Sequence, residues 1–188
     1  MAERGSVSRF LLRLFGWRVV GRLPDVRKFV VVGAPHTSNW DFPIGLLAAR
    51  VLGIKISWIG KAGLFRFPWG PLMRWLGGIP AQRTGSEGLV AAMEQRFAAA
   101  DQLTLVIAPE GTRKAAPFWR SGFYRIAEAA GVLIVPVALD AERKQVRVGA
   151  AVTPTGDRRA DMDRLREFFA GVEGIKPEGV GPIRLEAE

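Results

Sequence analysis

The chain has 188 residues, 48% of them hydrophobic, which suits one domain with a sizeable core and is short for two. It contains no cysteine, so disulfides, thiolate metal sites and a cysteine nucleophile are excluded. Lysine and arginine (27) outnumber aspartate and glutamate (18), and the net charge of +9 favours anionic partners: nucleic acid, anionic lipid or phosphate-rich small molecules.

In chain order, residues 7–15 predict an amphipathic helix. At about 100° per residue, Val7, Phe10, Leu11, Leu14, Phe15 and Trp17 share one face, with Ser6, Arg9 and Arg13 opposite. Such a helix either lies in a bilayer interface or packs on the chain's own core. Arg13 interrupts the apolar run and no small-residue cleavage site follows, so the segment reads as retained rather than as a signal peptide. No uncharged apolar stretch reaches the ~18 residues of a spanning helix.

Residues 28–32 predict a buried strand that ends in the turn Gly33-Ala34-Pro35, followed by a helix over 39–52 and a strand over 54–59. Pro68 and Pro71 break 63–76 into short helices and turns. A helix over 85–100, a strand over 103–108, a helix over 122–130 and a strand over 132–139 come next. Residues 145–148 predict a short edge strand and 158–170 a last helix. There Asp157, Asp161 and Asp163 alternate with Arg158, Arg159 and Arg164 as on a solvated face. The tail 174–188, rich in glycine and proline, reads as irregular. Strands alternating with helices predict an α/β fold: a single domain over 23–188 with a mostly parallel central sheet flanked by helices, preceded by the amphipathic segment 1–22. In such sheets, sites form in loops beyond the carboxyl ends of strands.

Three segments suit chemistry. His36-Thr37-Ser38-Asn39-Trp40-Asp41 directly follows a strand and holds the one histidine of the chain. Histidine is the usual general base near neutral pH, and a carboxylate on one ring nitrogen leaves the other free to take a proton. Asp41 can reach back to His36 if the histidine sits in the turn and the aspartate in the first helical turn. Ser38-x-x-Asp41 is equally a capping box, which would make Asp41 a helix-start residue. The second segment is Pro109-Glu110-Gly111-Thr112-Arg113-Lys114, where Gly111 allows close approach, Thr112 can donate and Arg113 can fork onto a phosphate, unless it is a charged surface turn. The third, Gly77-Gly78-Ile79-Pro80-Ala81-Gln82-Arg83, suits an anion or a plain turn with a solvated arginine. No G-x-S-x-G elbow, Walker loop or G-x-G-x-x-G is present. A single histidine without cysteine argues against a zinc site.

Together these segments resemble the glycerolipid acyltransferase family, which includes the lysophosphatidic acid acyltransferases. The family carries four blocks in order. H-x-S-x-x-D is met by His36, Ser38 and Asp41; a Gly-rich segment closing on Arg by Gly78 to Arg83; E-G-T-R by Glu110 to Arg113; and an apolar strand with a central proline by Val135-Pro136-Val137-Ala138. The resemblance runs from about Phe29 to Leu139. It departs at Pro80, where many members have an aromatic or aliphatic residue, and at Lys114, where serine often stands.

The resemblance implies transfer of a fatty acyl group from acyl-CoA or acyl carrier protein to a hydroxyl of a glycerolipid precursor, lysophosphatidic acid first, in phospholipid biosynthesis. His36 would be the base and Asp41 its orienting partner. Arg83 and Arg113 would hold the acceptor phosphate, with Glu110, Gly111 and Thr112 shaping that pocket. No metal or bound cofactor is implied. The expected partners are the lysolipid, the acyl carrier and an anionic membrane surface, with no nucleic acid, and the expected location is cytoplasmic, peripheral at the inner face of the cell membrane. Glycerol 3-phosphate, another lysophospholipid or a lyso-amino-acid lipid are alternative acceptors. A basic nucleic-acid-binding module is the reading from a different class.

Overall fold

A computed structural model describes residues 2–81 and 85–186, with the side chains of all of these except 2–4 and 86. The elements run α1 (Ala2–Leu14), β1 (Arg18–Val20), β2 (Lys28–Ala34), α2 (Asp41–Val51), β3 (Ile56–Gly60), a 3-10 turn (Ala62–Phe65), α3 (Gly70–Trp75), β4 (Gly78–Pro80) and α4 (Gly85–Ala99). They continue with β5 (Leu103–Ile107), α5 (Gly122–Ala130), β6 (Leu133–Asp140), β7 (Gln145–Val148), α6 (Arg158–Phe169) and a 3-10 turn (Pro177–Gly179). The seven strands form one sheet in the order β1-β7-β6-β2-β5-β3-β4. Among these described strands only the β6–β7 pair is antiparallel. The expected single α/β domain with a mostly parallel sheet is what forms.

β2 lies at the centre, between β5 and β6. Its run of β-branched residues is buried on both faces, as a central parallel strand requires. Strand alternation divides it between two cores. Val30 and Val32 pack with Met93 and Phe97 of α4, Phe123 and Ile126 of α5, and Leu165 of α6. Phe29 and Val31 face the other side, where Leu12 of α1, Trp17 and Ala48 of α2 close the layer.

Four features differ from the sequence reading. The first helix begins at Ala2, and a three-residue strand, β1, follows it at the sheet edge. β4 is a second short strand that periodicity cannot register over three residues. Trp17 does not extend the apolar face of α1: Gly16 turns the chain at a φ of +78°, and Trp17 enters the core with Leu12. Asp161 is not on a solvated face. It is buried and accepts from the Tyr124 hydroxyl at 2.9 Å and the Thr155 backbone N–H at 2.8 Å. Among the described residues no helix is long and apolar enough to cross a membrane.

Candidate active site

The site follows from strand register. β2 and β5 run parallel with Val32 opposite Ile107, so the loops leaving their carboxyl ends meet over the sheet edge. The first loop carries His36 and the second Glu110. The backbone N–H of His36 donates to Glu110 Oε1 at 3.1 Å and ties the two loops together.

His36 Nδ1 lies 3.1 Å from Asp41 Oδ2, with the imidazole 32% exposed and the carboxylate 5%. The same Oδ2 accepts the backbone N–H groups of Thr37 at 2.8 Å and Ser38 at 2.7 Å. Asp41 therefore holds the turn and faces the imidazole at once. The two sequence readings of this residue coexist, because half of the capping box forms. Ser38 N–H reaches Asp41, while Ser38 Oγ accepts from Trp40 N–H instead of completing the box. With Nδ1 engaged by the carboxylate, Nε2 is the nitrogen left for proton transfer.

Glu110 is buried, and burial pushes its carboxyl up to about 6, opposed by its own backbone N–H and that of His36. Oε1 is taken by His36, whereas Oε2 is buried without a hydrogen-bond partner. Gly111 turns at a φ of +64°, and a Cβ there would lie 2.8 Å from Nε of the exposed Arg120, so a side chain at this position meets backbone strain and displaces Arg120. The Thr112 hydroxyl accepts from the Lys114 N–H at 3.3 Å and shapes the turn.

Beside the histidine loop opens a cleft of about 650 Å³, lined by Thr37, Ser38, Asn39, Arg113, Lys114 and Lys176 among others. Three cations thus line the cleft, together with one carboxylate, Glu178. Arg113 lines this cleft. Gly111 and Thr112 form the turn that presents it, and Glu110 braces the histidine loop. Arg83 lies outside the described residues.

The C-terminal tail completes the cleft, which the sequence did not indicate. Lys176 N–H donates to Thr37 Oγ1 at 3.1 Å. A Cβ on Gly174 would lie 2.6 Å from Thr37 Oγ1, and one on Gly179 would lie 2.8 Å from the Arg113 carbonyl. Both glycines let the tail press against the two site loops. The spacing Gly174, Gly179, Gly181 was the available signal, since glycine marks close backbone approach.

A histidine–carboxylate pair backed by a cationic cleft, at the carboxyl edge of a parallel sheet, is suited to moving a group onto a hydroxyl of an anionic acceptor. The family model described as Acyltransferase matches residues 18–140, and the chain belongs to that family. No curated protein matches it in sequence. Among solved structures the fold resembles the 1-acyl-sn-glycerophosphate (LPA) acyltransferase PlsC from Thermotoga maritima. That match has a TM-score of 0.56 at 21% identity and covers 89% of this chain and 73% of that one.

Proposed function

We propose that the protein transfers a fatty acyl group from acyl-CoA or acyl carrier protein to the free hydroxyl of lysophosphatidic acid. The observation that carries this reading is the His36–Asp41 contact at 3.1 Å beside a cleft holding Arg113, Lys114 and Lys176. His36 Nε2 takes the proton of the acceptor hydroxyl. The oxygen attacks the thioester carbonyl, the C–O bond forms, the C–S bond breaks, and the imidazolium returns its proton to the departing thiolate. Asp41 stabilises the imidazolium in between. No protein nucleophile enters, in keeping with a chain without cysteine. Arg113, with Lys114 and Lys176, receives the acceptor phosphate, and Arg83 is assigned the same task from its motif. The free Oε2 of Glu110 suits a second acceptor hydroxyl. No metal or cofactor takes part.

Three cations, Arg113, Lys114 and Lys176, against one carboxylate, Glu178, in the cleft lining favour a phosphate-bearing acceptor over a lyso-amino-acid lipid. The Thermotoga protein acts on LPA, and at 21% identity that likeness is one of fold, so the choice of acceptor rests on the cleft. The work takes place at the inner face of the cell membrane, where α1 docks peripherally through its exposed Val7, Phe10 and Leu14, with Phe15 exposed just beyond its end. Purified protein given one acyl donor and a panel of lysophosphatidic acid, glycerol 3-phosphate, lysophosphatidylcholine and a lyso-ornithine lipid tests this directly. Fastest transfer to lysophosphatidic acid supports the assignment. Preference for another acceptor reassigns it, and salt-dependent DNA binding without any transfer overturns it in favour of the nucleic-acid module.

A further inference from the structure

Residues 61–76, between β3 and β4, lie outside the site described above and expose an unusual concentration of apolar surface. Phe67 is 92% exposed, Trp69 65% and Trp75 73%, with Leu64 and Leu72 also exposed. The side chains beneath hold this segment in place. Trp58 Nε1 donates to the Leu76 carbonyl at 3.0 Å, and Phe65 is buried with its ring 5.8 Å from that of Trp58. The Arg74 guanidinium sits 5.6 Å above the Phe65 ring. The aromatic side chains therefore stand outward from a braced base.

Three observations say what covers them. The first is charge: residues 42–86 contain no acidic residue and carry Arg50, Lys55, Lys61, Arg66, Arg74 and Arg83. Arg66 and Arg74 are themselves exposed among the aromatics. The second is composition, since tryptophan and phenylalanine interleaved with arginine is the chemistry of a lipid headgroup boundary. The third is position. Phe42, in the first turn of α2, packs edge-on against Trp58 at 4.8 Å, and Trp58 contacts Phe65, so the segment lies on the same side of the sheet as α2. α1, with its own exposed apolar face, packs on α2 from that side as well.

We propose that this patch is a second membrane contact, in which Phe67, Trp69 and Trp75 enter the interface of an anionic bilayer while Arg66 and Arg74 meet its headgroups. α1 is then one of two footholds, and the helix that starts at Asp41 lies on the side of the sheet that both occupy. The proposal goes beyond the acyl-transfer reading, and vesicle binding and quenching decide it, so either can fail alone.

The test uses the full chain and vesicles of phosphatidylcholine and phosphatidylglycerol mixed equally. The variant F67S/W69S/W75S removes only exposed side chains. Its thermal unfolding should match the parent, and its transfer to a short-chain, monomeric acceptor should be unchanged. Its partition onto vesicles should fall about tenfold or more. In a second arm W69F/W75F, in which only Trp17, Trp40, Trp58 and Trp119 remain, should lose most of the parent's quenching by brominated lipid. Vesicle binding equal to the parent's, or equal quenching in both proteins, overturns the proposal. So does a shift in oligomeric state with vesicle binding unchanged, because the patch would then be a contact between copies of the chain.

Discussion

The backbone N–H of His36 donates to the carboxylate of Glu110, 74 residues further along the chain, at 3.1 Å. The hydrogen bond places the histidine loop by its main chain, while Asp41 sets the imidazole by its side chain. Two buried carboxylates thus hold one histidine from two sides.

The burial of Glu110 has a pH signature. Its pKa in the folded chain, about 6, lies above its ordinary value of 4.5. Its contribution to stability is therefore full below about 4.5 and is lost as pH rises through about 6, a loss of about 2 kcal/mol. Glu110→Gln keeps an acceptor toward the His36 N–H but does not titrate. Denaturant unfolding of both proteins across this range should show the parent losing about 2 kcal/mol relative to the variant between about pH 4.5 and pH 7. Parallel stability curves would mean that the carboxylate is not held in a desolvated place.

Asp41→Asn should lower kcat by about 10²–10⁴-fold, because an amide cannot stabilise the imidazolium. It should also cost about 1–3 kcal/mol of stability, since Oδ2 accepts two buried backbone N–H groups. Turnover per folded molecule separates the effects. A variant that is less stable yet fully active would leave Asp41 with the turn alone.

Arg113→Ala and Lys176→Ala should each raise the acceptor KM by about tenfold or more and leave the donor KM near the parent's, as the loss of one charge-assisted hydrogen bond predicts. Varying each substrate in turn measures it. Unchanged kcat/KM for the acceptor in both variants would remove the cationic wall from phosphate binding. Gly179→Ala tests the tail separately. The added Cβ would lie 2.8 Å from the Arg113 carbonyl, a backbone atom with little room to move, and should destabilise by about 1–3 kcal/mol. Stability equal to the parent's would show that the tail does not press on the site.

α1, with 13 residues, is about 20 Å long, short of a ~30 Å hydrocarbon core. F10S/L14S should weaken binding to anionic vesicles and make it less sensitive to membrane charge, with thermal unfolding unchanged. Deleting residues 1–20 would be a poorer probe, because Leu12 and Trp17 belong to the core and β1 to the sheet. Binding undiminished in F10S/L14S would assign the contact to another surface.

What the sequence revealed was local. His36 and Asp41 stand five residues apart, so a strand end, a turn and a helix start place them without reference to the rest of the chain. The sheet was legible because β2, β5 and β6 are apolar runs long enough to register. Contacts made at long range were hidden. Nothing near Glu110 announces that it will hold the His36 backbone, and nothing near Lys176 announces Thr37. Periodicity also could not decide which apolar residues face a core. The pattern that put Trp17 beside Phe15 did not register that Gly16 reverses the chain between them. Asp161 looked solvated among arginines, because its partner Tyr124 sits on another helix.

The central claim is that His36 is the base for direct acyl transfer to a phosphate-bearing lipid hydroxyl. The most direct measurement is the rate at which purified His36→Ala, shown to be folded by its circular dichroism and unfolding midpoint, moves a labelled acyl group from a thioester donor to lysophosphatidic acid. A fall of about 10²–10⁴-fold below the parent is expected from the loss of a positioned general base. A folded variant with turnover near the parent's would contradict the account.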